Sequence, residues 1–130
     1  MIVVDASILV TALADDGPDG DRFRGRLAGE RLAAPHLIDL EVISAWRRLA
    51  AAGRLDDRRA AFARADLQAL PVRRVDHRPL VERCWALRAT MTSYDAVYVA
   101  LAELMDAPLL TADAKLATSP GPTCHIEVLR

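Results

Sequence analysis

Four carboxylate side chains stand where a folded chain could collect them into one site. Asp5 directly follows an apolar run at the start of the chain, and Asp113 lies just beyond a second such run. Both runs are typical of buried strands, and the carboxyl ends of parallel strands meet at one edge of a sheet. Glu41 and Asp95 lie in segments with helical patterns that could pack against that edge. The spacing therefore predicts a cluster of four acids.

Four acids in one cleft repel one another unless something neutralises them. A hard divalent cation could neutralise all four, because Mg²⁺ takes oxygen ligands and keeps water molecules that a substrate phosphate can replace. Such a site suits metal-assisted hydrolysis of a phosphodiester bond. Ser7 and Thr111 each lie two residues from an acid and could hold a ligand carboxylate or a water molecule. Alternatively, each hydroxyl makes only a local bond to backbone at a strand end.

The segments around Glu41 and Asp95 differ in character. Ser93 to Ala102 predicts a helix that is apolar almost all round and therefore buried, with Ser93 as N-cap and Asp95 in the first turn. The helix dipole there favours an ionised carboxylate, although a lone Asp could simply support the helix start. Glu41 interrupts an apolar stripe, which indicates a ligand or an ion pair. Asp39 lies about 200° from Glu41 around the helix and is predicted to face solvent.

The elements that must position these acids alternate between strand and helix. This order predicts an α/β fold with a parallel sheet and helices on both faces, in a single domain over residues 1–130. Asp15 to Gly20 is predicted to be a loop. The predicted strands are Met1–Val4, Arg31–Ala34, Pro71–Asp76 near a sheet edge, Pro108–Thr111 and Ile126–Leu129. The predicted helices follow Asp5 and cover Arg22–Gly29, His36–Ala52, Asp56–Leu70, Pro79–Ala89 and Ser93–Ala102.

Composition narrows the classes of protein that remain. The 130 residues are 52% apolar and 27% charged with a net charge of −1, which indicates a globular domain without a global basic field. Cys84 and Cys124 are too few for a disulfide framework, and Cys84 is predicted to be a small core residue. No segment is apolar enough for a membrane span, and the acidic start at Asp5 is unlike a signal peptide. A cytoplasmic location is therefore expected.

Four segments carry a resemblance to a known family. They are Val3-Val4-Asp5-Ala6-Ser7, Pro35 with Leu37 and Glu41, Tyr94-Asp95-Ala96-x-Tyr98-Val99-Ala100-Leu101-Ala102-Glu103, and Leu110-Thr111-Ala112-Asp113. In this order over essentially the whole chain, they resemble the PIN-domain ribonucleases, and within them the VapC toxins of bacterial toxin–antitoxin pairs.

The resemblance implies a three-layer α/β/α domain and a Mg²⁺- or Mn²⁺-dependent endoribonuclease that acts on cellular RNA. It also implies a homodimer and inhibition by a cognate VapB antitoxin. The family's four acids correspond to Asp5, Glu41, Asp95 and Asp113, of which Asp5, Asp95 and Asp113 are the expected metal ligands. Ser7 and Thr111 take the accompanying hydroxyl positions. Ser44 departs from the pattern, since many relatives carry Asn there.

Other functions fit the residues less well. A receiver domain needs an acid pair after the first strand, and a haloacid-dehalogenase-like phosphatase needs a second Asp two residues after its nucleophile, where this chain has Ser7. A metal-independent ribonuclease could use histidines. However, His36, His77 and His125 share no predicted edge. A fold that binds RNA or a protein without cleaving would have no physical reason to keep unpaired carboxylates together.

An antitoxin-docking surface is predicted on the first helices. Leu9, Leu13, Trp46 and Leu49 are the candidates, because these helices carry more large apolar residues than one buried face requires. The alternative is that all four belong to the ordinary core.

Overall fold

A parallel five-stranded sheet runs through the centre of the computed structural model, which describes residues 1–130. The strand order is β3-β2-β1-β4-β5, so the first strand lies in the middle and the third and fifth form the edges. The strands are β1 (Ile2–Val4), β2 (Leu32–Pro35), β3 (Val72–Val75), β4 (Leu109–Thr111) and β5 (Ile126–Val128). All four pairings are parallel, which confirms the predicted sheet and the edge position of the charged third strand.

Helices cover both faces of the sheet and complete a three-layer α/β/α fold, as predicted. They are α1 (Ala6–Ala14), α2 (Pro18–Leu27), α3 (Ile38–Ala51), α4 (Asp57–Ala69), α5 (Val81–Ala86), α6 (Ser93–Leu104) and α7 (Ala114–Thr118), with a 3₁₀ turn at Arg78–Leu80. Helix α1 contacts α2, α3 and α4, whereas α6 contacts α5 and the three central strands. None of the seven helices has the length and apolar content that crossing a membrane requires.

Helix α6 is the most enclosed helix of the fold. Seven consecutive residues, Ala96–Ala102, are buried, because the helix lies between the sheet and α5. This confirms the predicted burial on nearly every side. The N-cap is Thr92 rather than the predicted Ser93, since the Thr92 hydroxyl accepts a bond of 3.2 Å from the Asp95 N–H. Asp95 still lies in the first turn.

The second helix and one acid differ from the sequence-based expectations. Helix α2 begins at Pro18, inside the segment predicted to be a loop, because proline at the first helical position is already restrained to helical geometry. Asp39 does not simply face solvent. Its two carboxylate oxygens accept bonds of 2.7 and 2.8 Å from the Arg74 guanidinium, which reaches across from β3.

The candidate antitoxin surface on the first helices falls largely in the core. Leu9 is fully buried and Trp46 is 3% exposed, with its indole N–H donating to the Val10 carbonyl. Leu13 and Leu49 are half-buried and pack against the core. The prediction of a docking surface was therefore wrong for Leu9 and Trp46, which the crossing of α1 and α3 encloses.

Candidate active site

Asp5 sits where the central strand β1 gives way to helix α1, and only 8% of its surface is exposed. Its two carboxylate oxygens accept bonds of 2.5 Å from the hydroxyls of Ser7 and Thr111. Ser7 Oγ accepts the Ala112 N–H at 3.0 Å, and Thr111 Oγ1 accepts the Asp113 N–H at 3.0 Å. Because backbone donors occupy the hydroxyl oxygens, both hydroxyl protons point at Asp5. These bonds join the carboxyl ends of β1 and β4.

Glu41 lies in the first turn of α3 and is half-buried. Its partner is a neutral phenol and not the cation that a buried ion pair would supply. The Tyr98 hydroxyl donates to Glu41 Oε1 at 2.6 Å, and Tyr98 itself is only 2% exposed on α6. Burial raises the pKa of Glu41, and the negative charges of Asp5 and Asp95 raise it further.

Asp95 and Asp113 complete the acidic region. Asp95 is half-buried at the start of α6, and its pKa is raised by burial and then by the charge of Asp113. Asp113 is exposed and caps α7, since its Oδ1 accepts the Lys115 N–H at 2.9 Å. The structure therefore brings all four predicted acids within electrostatic reach of one another, at the carboxyl edge of the sheet.

The charge of this acid cluster, by which we mean Asp5, Glu41, Asp95 and Asp113, is not balanced within the protein. Eight ion pairs occur in the structure, and none uses any of the four acids. Burial raises the pKa of Asp5 despite the bonds from Ser7 and Thr111, which act in the opposite direction. Negative charge is concentrated here without a basic side chain to offset it.

The donor chemistry of the cluster fits a hard divalent cation. All four side chains offer carboxylate oxygens, the ligands that Mg²⁺ and Mn²⁺ prefer, and their mutual repulsion favours a positive ion. No three acidic, histidine or cysteine side chains are arranged around a common point as metal ligands. Binding would therefore require the acids to turn closer together.

Sequence reasoning missed two features next to the acid cluster. The sequence places Tyr98 in the buried helix and in the family motif but gives it no role in the site, although a hydroxyl one helical turn after Asp95 is a visible signal. The other feature is an open groove of about 430 Å³ between α5 and α6, whose wall includes Trp85 and Tyr94. Cys84 on α5 is half-buried against the core, as predicted, but its neighbour Trp85 is 64% exposed, which the sequence does not indicate.

The fold and the site together define a class of protein. It is a three-layer α/β/α domain with an unpaired acid cluster at the carboxyl edge of its parallel sheet. The family model described as the PIN domain matches residues 2–120. The chain therefore belongs to the PIN-domain family, as the resemblance of its motifs indicated.

Relatives with similar sequences lie within one branch of this family. Over an alignment of 132 positions, the chain is 45% identical to ribonuclease VapC1 of Mycobacterium tuberculosis, and the alignment covers 98% of this chain and 97% of the relative. An alignment of the same length to ribonuclease VapC9 of the same organism also gives 45% identity and covers 99% of this chain and 98% of the relative. Membership of the VapC group is thereby confirmed.

A solved structure supports the fold. VapBC2 from Rickettsia felis, bound to a DNA fragment from its promoter, superposes with a TM-score of 0.71 at 14% identity and full coverage of both chains. At this identity the likeness speaks for the α/β/α architecture alone.

Proposed function

We propose that this chain is a VapC-type toxin, a metal-dependent endoribonuclease that cleaves cellular RNA by phosphodiester hydrolysis and is neutralised by a VapB-like antitoxin. Membership of the VapC group supports the substrate class and the kind of partner. The observation that carries the proposal is the unpaired acid cluster at one sheet edge, in a chain whose close relatives are ribonucleases.

Each site residue has a proposed role. Asp5, Asp95 and Asp113 would hold Mg²⁺ or Mn²⁺, and the ion when bound supplies charge stabilisation and an activated water molecule. Ser7 and Thr111 keep the Asp5 carboxylate in place through their hydroxyl bonds.

Glu41 is the fourth proposed catalytic residue. Its Oε1 is fixed by Tyr98, and its Oε2 accepts no hydrogen bond within the protein. A half-buried carboxylate with a raised pKa and one free oxygen is suited to hold a proton during the reaction.

The proposal extends to the molecule as a whole. It assigns residues 1–130 to a single PIN domain, and the pairing of β5 with β4 beyond the matched residues supports this assignment. The protein acts in the cytoplasm as a homodimer. Sedimentation of the purified chain over a range of concentrations tests the dimer, and a monomer at every concentration would overturn it.

Cleavage of total bacterial RNA by the purified chain tests the activity. We expect cutting in Mn²⁺ that leaves 5′-phosphate and 3′-hydroxyl ends, no cutting in EDTA, and a loss of roughly 100-fold or more in Asp95→Asn. Asp66→Asn is the matched control, because Asp66 is exposed on α4 and forms no ion pair. Cutting that survives both EDTA and Asp95→Asn would overturn the proposal.

A further inference from the structure

The single lysine of the chain stands beside the acid cluster. The other 16 basic residues are arginines, whereas Lys115 lies in the first turn of α7, two residues after Asp113. The Lys115 N–H donates to Asp113 Oδ1 at 2.9 Å, and the Lys115 carbonyl accepts bonds of 3.1 and 2.9 Å from the hydroxyls of Thr118 and Ser119. The backbone of Lys115 is therefore fixed next to a site carboxylate.

The side chain of Lys115, in contrast, is exposed and forms no ion pair. The next residue, Leu116, is 3% exposed and packs in the core, so Lys115 is turned toward solvent. All eight ion pairs of the structure use arginine, whose planar guanidinium can bond both oxygens of a carboxylate. An ammonium is more strongly hydrated and sits on a flexible stem. Lysine can therefore lie beside the acid cluster without closing it.

The two sides of the acid cluster differ in their positive charge. Strands β2 and β3 lie on one side of the central strand β1, and β4 and β5 lie on the other. Just after β3, the Arg78 guanidinium pairs with the Asp76 carboxylate at 2.7 Å. Lys115, which follows β4, has no such partner. An unpaired positive charge thus borders the acids on the β4 side.

A strand of RNA needs such a charge at this place. A cation bound by the acids can offset the charge of the scissile phosphate, but the neighbouring phosphate must also pass the exposed carboxylate of Asp113. The net charge of −1 gives the chain no general attraction that would compensate. A lysine ammonium reaches about 6 Å from its own Cα, so Lys115 can contact a phosphate next to the one at the acids.

We propose that the Lys115 ammonium binds the RNA phosphate next to the scissile one, on the β4 side of the acid cluster. The proposal rests on the proposed ribonuclease function and adds a substrate contact that the four acids do not supply. Lysine binds a phosphate as a point charge, and contacts to the backbone of a nucleic acid carry no sequence information. The contact therefore strengthens the binding of any single strand and leaves the choice of cleavage site to other residues.

The salt dependence of RNA binding tests this contact directly. The probe is a short fluorescein-labelled oligouridylate, whose anisotropy is measured in EDTA, where the proposed enzyme leaves RNA intact. Each phosphate that a protein neutralises on a single strand contributes about 0.7 to the slope of log affinity against log salt concentration. Lys115→Gln should lower this slope by about 0.7. Affinity should then fall about 8-fold at about 50 mM salt and about 3-fold at about 200 mM.

The matched control is Arg31→Gln. Arg31 is exposed, belongs to no ion pair and directly precedes β2, at the opposite edge of the sheet. This variant has the same net charge as Lys115→Gln and should keep the wild-type slope. Lys115→Glu, which reverses the charge, should lose more affinity than Lys115→Gln. Thermal melting verifies that each variant is folded.

Two further measurements separate a substrate contact from a supporting role at Asp113. In Mn²⁺, Lys115→Gln should raise the KM of cleavage and leave kcat unchanged, because the contact is made equally in the ground state and the transition state. The affinity for Mn²⁺, measured by electron paramagnetic resonance, should not weaken, since Lys115 does not hold the ion.

Each outcome decides one of the two proposals. An unchanged slope in Lys115→Gln, or an equal reduction in Arg31→Gln, would overturn the phosphate contact. Weaker Mn²⁺ binding with an unchanged slope would also overturn it, because Lys115 would then act on Asp113. A slope lowered in Lys115→Gln without cleavage by the wild-type chain would keep the contact and overturn the ribonuclease function. Cleavage by the wild type with the same slope and KM in Lys115→Gln would do the reverse.

Discussion

Neutral hydroxyl groups hold two of the four site carboxylates in place. Ser7 and Thr111 donate to Asp5, and Tyr98 donates to Glu41. An O–H donor satisfies a buried carboxylate without cancelling its charge, whereas an arginine in the same place would neutralise it. The site therefore keeps its negative charge for a cation while its side chains remain oriented.

Tyr98→Phe isolates one of these hydroxyl bonds. The ring stays in the core, but Glu41 loses its only donor, so we expect cleavage to fall by about 10-fold or more. The loss should appear in kcat rather than in KM, because Tyr98 is buried and does not reach the RNA. Steady-state cleavage kinetics with an oligoribonucleotide measures the effect.

The control for this change lies on the same helix. Tyr94→Phe removes a hydroxyl that makes no hydrogen bond from a ring that is 65% exposed, so its kinetics should match the wild type. Equal losses in the two variants, or no loss in Tyr98→Phe, would contradict a positioning role for Tyr98.

The sequence alone reveals some site residues and hides others for a physical reason. Asp5 and Thr111 can be assigned to the site from the sequence, because short apolar runs predict the strands beside them. The carboxyl ends of parallel strands then lie at the same edge of the sheet. The bond between Tyr98 and Glu41 joins residues 57 positions apart on two helices. Helical periodicity reports which face is buried but not which residue lies opposite, so this contact required the structure.

Among the secondary elements, strong periodic segments were predicted well and short ones poorly. Helix α6 is enclosed by the sheet and α5, so its apolar sequence corresponds to real burial. Helix α5 has only six residues, and its apolar Val81 and Trp85 face the groove. The helix α7 is absent from the sequence-based prediction, because its five residues are too few to show helical periodicity. Exposed apolar residues on a short helix thus mimic the pattern of a buried one.

A polar clamp around Glu103 attaches the last segment of the chain to these helices. The Glu103 carboxylate accepts bonds of 2.7 and 3.0 Å from Arg83 on α5 and two more from Thr123. Arg83 also donates to the Gly121 carbonyl at 2.9 Å. The clamp therefore joins α5, α6 and the approach to β5.

Glu103→Gln should destabilise the fold by about 2 kcal/mol, because an amide cannot accept from Arg83 and Thr123 together and leaves charged donors without a partner. The side chain of Glu103 is 12% exposed, so water replaces the lost bonds poorly. Urea unfolding at neutral pH measures the difference. Glu82→Gln is the matched control, since Glu82 is exposed on α5 and forms no ion pair.

The same comparison has a defined pH dependence. The bonds from Arg83 and Thr123 lower the pKa of Glu103 in the folded state below its ordinary value of 4.5. A lowered carboxyl pKa adds stability above the unfolded-state pKa, and this contribution disappears as the pH falls through the folded-state pKa. The difference in the free energy of unfolding between wild type and Glu103→Gln should therefore be constant above about pH 5.5 and shrink below about pH 4.5. A gap independent of pH would contradict the charged role of Glu103.

For the molecule as a whole, the acid cluster opposes folding in the absence of a cation. Burial and mutual repulsion raise the pKa values of Asp5, Glu41 and Asp95. At these three groups the folded state binds protons more tightly than the unfolded chain, so their contribution to the free energy of unfolding falls as the pH rises from the ordinary carboxyl range to neutrality. A function that needs concentrated negative charge is thus maintained at a cost in stability.

Thermal melting in the presence and absence of Mn²⁺ tests this link between site and stability. At neutral pH, Mn²⁺ should stabilise the wild type, by about 2.7 kcal/mol at a concentration 100 times its Kd, because it binds the folded state alone. Asp95→Asn removes one of the repelling charges, so the metal-free variant should melt at or above the wild-type temperature and gain less from Mn²⁺.

The gain from Mn²⁺ should also vanish in acid, where protonation neutralises the cluster and competes with the ion. Asp66→Asn, on α4, should behave as the wild type in every condition, because its carboxylate belongs to no ion pair and lies on another surface. Two results would refute the account. One is a metal-free Asp95→Asn that melts well below the wild type, which would make Asp95 a support of the helix start. The other is an equal Mn²⁺ gain in both variants, which would place the ion elsewhere on the protein.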